Sequence, residues 1–283
     1  MARKSTPTPP DADASPIESM EALLVDALPE GDGWQFEPKW DGFRCLAFKE
    51  AGRVRLFAKS GKPLHRFFPE VAAALAAIEA DDFVLDGELV IPTEDGPSFD
   101  ALQARLHPAE SRIRKLSVET PALLVVFDLL IAPGGMVLTQ EPLHGRRAAL
   151  EKFFAGQSSP TLRLSPTTHD PEVARNWLSY AGSALDGVIA KRIDDPYKSG
   201  ERAMLKVKNI RTADCVVGGF RYGEGTTIVA SLLLGLYNRE GRLDHVGFTS
   251  ALAHENKREL TARLEALRGE GFTGNAPGGP SRW

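Results

Sequence analysis

The sequence predicts an α+β protein in two parts: a large mixed domain ending near residue 210, then a small, mostly β unit. Two observations carry this. Before residue 210, short alternating apolar runs are interspersed with helix-period segments, without the regular strand–helix repeat of a parallel α/β fold. After Asn209-Ile210-Arg211 the chain turns to strand-length runs separated by glycine-rich turns, with one late helix. A chain of 283 residues is long enough for two cores.

Taken in order, residues 1–16 hold four prolines among small polar residues and read as a disordered leader. Glu18 to Leu28 carries Met20, Leu23, Leu24 and Ala27 at helical spacing, which predicts a short amphipathic helix. Trp34 to Glu37 and Phe43 to Phe48 alternate as strands around a tight Asp41-Gly42 turn, and Arg53 to Ala58 is a third strand. Pro69 to Ala80 is an alanine-rich helix, and Phe83 to Ile91 a strand interrupted by Asp86-Gly87-Glu88. Phe99 to Leu106 reads as a helix, followed by a strand around Phe127. Pro142 to Phe154 and Pro171 to Ala181 are helices, the second started by Asp170 as N-cap. Leu185 to Lys191 and Ala203 to Lys208 are strands. Beyond the boundary come strands over 214–220, 228–237 and 243–248 and a helix over 255–267, compatible with the first part of an OB-type barrel.

Composition excludes several classes. No segment approaches the ~18 unbroken apolar residues of a membrane span, since the most apolar run, Ala122 to Ala132, contains Asp128. Residues 1–16 lack the apolar stretch of a secretory signal. Two cysteines in no ligand spacing argue against structural zinc and suit a reducing cytoplasm. The net charge of −4 hides three basic stretches. Lys39 to Arg66 holds eight Lys/Arg against two Asp/Glu, Lys191 to Arg211 seven against three, and Arg105 to Lys115 four against one. They could converge on one polyanion-binding face, or be ordinary surface clustering.

The first chemical string is Lys39-Trp40-Asp41-Gly42-Phe43-Arg44. A lysine at the end of a strand can point rigidly into a cleft. Its amine attacks only as the free base, which nearby cations and partial burial favour. Alone, the string is explained as well by a hairpin. Asp86-Gly87-Glu88, Phe127-Asp128, Asp186-Gly187-Val188-Ile189-Ala190-Lys191 and Lys206-Val207-Lys208 follow in order. Lys206 and Lys208 are one strand period apart and share a side if Val207 points away.

This ordered set resembles the motifs of the covalent nucleotidyltransferases: DNA ligases, RNA ligases and mRNA-capping enzymes. Glu37-Pro38-Lys39, Gly61-Lys62-Pro63 with Phe68-Pro69-Glu70, Tyr197 to Arg202, and Thr212 to Gly219 narrow the resemblance to short bacterial ATP-dependent DNA ligases, over about Glu18 to Trp283. It implies an adenylation domain over 17–210 and an OB-fold domain over 211–283. The implied enzyme is a cytoplasmic monomer that seals nicked duplex DNA, in repair or recombination, with ATP as AMP donor and Mg²⁺ or Mn²⁺.

By position in the motifs, the resemblance makes Lys39 the residue that carries AMP, with Lys206, Lys208 and Lys191 on phosphate. Phe127 stacks on adenine and Glu37 lies beside the adenine edge. Arg44 contacts the ribose and later the 5′-phosphate of the nick. Glu88 contacts the ribose hydroxyls near the metal, and Asp186 binds the metal, a hard-oxygen role. Two departures stand out. Lys59 occupies a place where the family usually has arginine, keeping the charge but not the two-pronged geometry. Asp186 replaces a glutamate, one methylene longer. Only three of five barrel strands can be counted and the basic terminal motif is not found, so the sequence suggests a truncated second domain and impaired self-adenylation. Rival readings are an RNA ligase, a capping guanylyltransferase and a non-catalytic nick-binding protein.

Overall fold

Alternation along the strands decides which side chains meet. The computed structural model describes residues 15–94, 96–156, 159–180, 185–208, 212–252 and 256–277. It divides into two units, Met1–Ile210 and Arg211–Trp283. In the first, β1 (Glu21–Leu24), β2 (Trp34–Trp40), β3 (Phe43–Glu50) and β4 (Arg53–Ala58) precede α1 (Pro69–Ala76). Next come β5 (Phe83–Val90), the small pair β6 (Pro92–Thr93) and β7 (Gly96–Pro97), α2 (Phe99–Arg105) and α3 (Glu110–Glu119). After them run β8 (Leu123–Ala132), β9 (Met136–Val137), α4 (Leu143–Ala155), β10 (Leu162–Leu164), α5 (Pro171–Tyr180), β11 (Leu185–Arg192) and β12 (Arg202–Lys208).

Two sheets form the frame. One has the order β1-β12-β11-β2; the other runs β10-β8-β5-β3-β4, with β9 beside β8. One face of the first sheet buries Phe36, Val188 and Ala190 against Ala174 and Trp177 of α5. Between the sheets lie Leu46, Phe48, Phe57, Val84 and Leu130, with Met20, Tyr197 and Met204. The far face of the second sheet packs Cys45, Leu56, Leu85, Leu89 and Val126 against Val71 and Leu75 of α1, Leu102 of α2 and Leu150 of α4. This is a helix–sheet–sheet–helix stack, and the mixed α+β class is what the sequence implies.

The structure departs from the sequence reading in several places. Glu18 to Leu28 is not a helix. Its centre is β1, which adds parallel to β12, with Glu21 N–H donating to Glu201 O at 2.8 Å and Val25 N–H to Lys206 O at 3.0 Å. Of its apolar residues only Met20 is buried, and Leu23 and Leu24 stay about half exposed. An open sheet edge supplied backbone partners that outweighed a short stretch of helical spacing. β2 and β3 do not form a hairpin around Asp41-Gly42, because they belong to different sheets. The link passes so close to β5 that a Cβ on Gly42 would lie 2.1 Å from Leu89 O. β5 runs without interruption through Asp86-Gly87-Glu88, and the irregularity there is a bulge against β8. Helix α3 was not anticipated. Asp170 does cap α5, its Oδ1 accepting from Glu172 N–H at 2.8 Å.

Several cations of the basic stretches are already engaged by protein partners. Arg105 is fully buried and paired with Glu70 at 2.8 Å, and Lys49 donates to Ala76 O and Ile78 O at the C-terminal end of α1. Arg114 and Lys115 are matched by Glu110 and Glu119 one turn away.

The second unit holds β13 (Val216–Tyr222), β14 (Val229–Tyr237), β15 (Leu243–Thr249) and α6 (Lys257–Ala266). Its strands form one antiparallel sheet in the order β13-β14-β15, and α6 meets it where Thr261 Oγ1 accepts from Val229 N–H at 2.9 Å. Among the described residues the sheet does not close into a barrel. The leader up to residue 14, the boundary tripeptide 209–211, residue 181 at the end of the expected α5, residue 255 at the expected start of α6 and the tail 278–283 lie outside the described residues.

Candidate active site

One sheet face collects most of the candidate residues by register alone. Glu37 of β2 lies opposite Ile189 of β11, which lies opposite Lys206 of β12. Two residues along, Lys39, Gly187 and Lys208 form the next row, while Gln35 and Lys191 form the row before. Side chains two apart on a strand share a face. Glu37, Lys39, Lys191, Lys206 and Lys208 therefore rise on the side away from α5, and Val207 between the two lysines is buried.

Two bulges complete the set. β11 pairs Leu185 with Trp40 and Gly187 with Lys39, leaving Asp186 as the extra residue. β5 pairs Asp86 with Asp128 and Gly87 with Val126, leaving Phe127 of β8 as the extra one. An unpaired residue in a bulge is re-aimed relative to the pleat. Asp186 Oδ2 thereby reaches Lys39 Nζ at 2.5 Å and Lys208 Nζ at 2.8 Å. Burial would raise the Asp186 pKa, but Lys208 and Lys39 outweigh it and hold the carboxyl below its usual range.

Gly187 makes this bulge possible. Its φ of 146° lies in a region that side chains rarely adopt, and a Cβ there would sit 2.0 Å from Val207 O. Gly187→Ala is expected to destabilise the fold by about 1–3 kcal/mol through backbone strain, and to displace Asp186 from both lysines. Urea unfolding measures the first effect; an unchanged midpoint would mean the backbone adapts freely.

Most of these residues open onto a cleft lined by Glu37, Lys39, Arg44, Lys59, Glu88, Phe127, Lys191 and Lys206, with Ser19, Met20 and Glu21 on its β1 side. Arg44 Cζ lies 4.6 Å from the centre of the Phe127 ring and Lys191 Nζ 4.8 Å from it. Lys191 is not a free cation near Lys206. It is buried and bound to Glu37 Oε2 at 2.8 Å, while Glu37 Oε1 accepts from Gln35 Nε2 at 2.8 Å. Lys59 is held at the rim by Glu21 at 2.8 Å. Burial pushes Glu88 up to about 7, against the pull of Arg44 and Lys39. Lys206 is different: among the described residues its amine has no carboxylate within ion-pair distance. Burial first, then Lys39, Lys208, Lys59 and Arg202, lower its pKa. Cations gathered without enough anions make a place for phosphate.

Residues 14–208 match the model of the ATP dependent DNA ligase domain. DNA ligase C2 of Mycolicibacterium smegmatis is 43% identical over 254 residues, 89% of this chain and 71% of that one. The chain belongs to the ATP-dependent DNA ligase family. DNA ligase C of Mycobacterium tuberculosis is 42% identical over 257 residues, with the same coverage of each chain. Among solved structures, the ligase domain of M. tuberculosis LigD is 30% identical with a TM-score of 0.56, over 92% of this chain and 82% of that one. A mycobacterial DNA ligase D complexed with ATP and MES is 28% identical with a TM-score of 0.56, over 93% and 82%. The ligase uses ATP to form phosphodiester bonds in DNA.

Sequence reasoning missed four residues that hold the candidate site residues in place. Asp86, fully buried, grips Arg44 through two hydrogen bonds of 2.6 Å. Tyr197 donates to Asp86 at 2.7 Å. Glu21 steers Lys59, and Gln35 occupies Glu37. Asp86 and Tyr197 lay inside recognised strings, but nothing local says that they bond to each other. Glu21 and Gln35 carried no signal beyond polarity.

Proposed function

We propose that Lys39 is the residue through which the ligase carries AMP. The observation that supports this reading is the sheet row of Lys39, Gly187 and Lys208, with Asp186 held at its centre and Lys206 beside it facing the same cleft. Adenine stacks on Phe127 with its edge toward Glu37 and Lys191. Lys39 Nζ, as the free base, attacks the α-phosphorus of ATP; the bond to pyrophosphate breaks and a phosphoramidate forms. Lys206 and Lys208 stabilise the charge that grows on the phosphate oxygens. A 5′-phosphate oxygen of the nick, steered by Arg44, then takes AMP from Lys39. The 3′-hydroxyl finally attacks the phosphorus of the nick's 5′-phosphate, loses its proton and expels AMP.

Asp186 and Glu88 suit a hard divalent ion, Mg²⁺ or Mn²⁺, because such an ion needs only one or two carboxylates beside phosphate oxygens and water. When bound, the ion would supply charge neutralisation at the phosphates. Before that, the Asp186 carboxylate keeps Lys39 and Lys208 in place.

A role in repair or recombination fits the multifunctional non-homologous end joining protein LigD of Pseudomonas aeruginosa, 34% identical over 254 residues, 87% of this chain and 29% of that one. A monomer working in the cytoplasm completes the proposal. The test is intact mass after incubation with ATP or GTP, followed by nick sealing. One added AMP with ATP alone, and sealing that requires ATP, is expected. No covalent adduct with either nucleotide would overturn the Lys39 reading.

A further inference from the structure

A closed ring of hydrogen bonds lies behind Arg44. Its Nε and Nη2 donate to the two oxygens of Asp86, each at 2.6 Å, and Nη2 also reaches Met20 O at 3.3 Å. Met20 N–H donates to the Tyr197 hydroxyl at 2.9 Å, and that hydroxyl donates to Asp86 Oδ2 at 2.7 Å. Tyr197 is 3% exposed and Asp86 fully buried, so water cannot replace either partner cheaply. Arg44 itself stays partly exposed at the cleft, and its Nη1 has no protein partner among the described residues. Three of its donor directions are thus committed to the protein, and one edge remains for a ligand.

We propose that Tyr197 is a positioning residue for the ligation reaction: through Asp86 it fixes the Arg44 guanidinium so that the Nη1 edge faces the cleft, and through Met20 N–H it holds the β1 segment that walls the cleft. This rests on the reading of Arg44 as a contact for substrate phosphate. Without the hydroxyl, Asp86 Oδ2 loses a donor and Met20 N–H loses its acceptor, and the arginine fork can swing. Burial, with the Asp86 carboxylate beside it, keeps the phenol above its ordinary range, so it stays a donor at all working pH values. The loop between β11 and β12 adds a further tie, with Lys198 N–H donating to Met20 Sδ at 3.3 Å.

The test is a double-mutant cycle of Tyr197→Phe and Arg44→Lys. It uses single-turnover kcat/KM for sealing a nick that already carries AMP, alongside thermal unfolding. Tyr197→Phe is expected to lower kcat/KM about tenfold, the scale of one hydrogen bond to a charged partner. In the Arg44→Lys background the same change should cost less than about twofold, because the fork it orients is gone. Equal losses in both backgrounds would make Tyr197 merely structural and overturn the proposal, as would a loss under about twofold in the parent. If Tyr197→Phe does not fold, Asp86→Asn takes its place in the cycle with the same two outcomes. Arg44→Lys with parental sealing would remove the reading of Arg44, and the positioning role with it, while adduct formation at Lys39 would stand.

Discussion

Lys39→Ala is expected to yield a folded protein that gains no AMP from ATP. The side chain is one-fifth exposed at the cleft and belongs to none of the buried clusters. Its loss leaves Asp186 still paired with Lys208 at 2.8 Å, so no charge is stranded. A partly exposed ion pair of this kind contributes only about 0–1 kcal/mol. Stability should therefore barely change while covalent chemistry disappears. Intact mass after ATP treatment checks the adduct, and urea unfolding checks the fold. A sharper outcome separates nucleophile from scaffold. On a nick already carrying AMP, the variant should retain sealing, because that step no longer needs the lysine to hold AMP. An adduct on the variant would sink the assignment. Loss of both reactions would assign Lys39 a wider role than carrying AMP.

Lys206→Ala should slow self-adenylation by about 10²–10³, the roughly 3–4 kcal/mol typical of a preorganised oxyanion donor. Lys208 already answers Asp186, whereas Lys206 faces Lys39, Lys208, Lys59 and Arg202 without a carboxylate of its own. Its lowered pKa means that the charged form is disfavoured in the folded protein without nucleotide. Removing it should then leave that protein no less stable, which a purely structural lysine would not do. Single-turnover adenylation and a thermal melt of the nucleotide-free protein give the two readouts. A rate within twofold of the parent would return Lys206 to the solvated surface. A melt several degrees lower would mean that its stem, not its charge, matters.

Much of this site was legible because strands encode faces. The motif strings named Lys39, Glu37, Lys206 and Lys208, and a period of two predicted that the last two share a side when Val207 turns inward. The α+β class, the α5 cap at Asp170 and most strand positions followed from local pattern in the same way. The failures had local causes too. Glu18 to Leu28 has helical spacing, yet Glu21 to Leu24 pairs with an edge 181 residues away in sequence that no short window contains. Asp41-Gly42 has the composition of a hairpin turn, yet carries the chain between sheets.

What the sequence by itself determined, then, is which chemistry the chain holds: a lysine nucleophile candidate, a lysine pair at strand spacing and carboxylates beside glycine. Residue type and strand period are local properties, and they survive in any fold that keeps the strands. The tertiary structure alone decided how those groups are brought together. Two bulges, each one extra residue against a partner strand, turn Asp186 toward Lys39 and Lys208 and Phe127 toward the cleft. Long-range pairing buries Lys191 on Glu37 and closes the ring of Arg44, Asp86, Tyr197 and Met20. The physical reason is that a buried charge must find its partner wherever packing delivers one, and packing joins residues whose separation along the chain carries no information about their meeting.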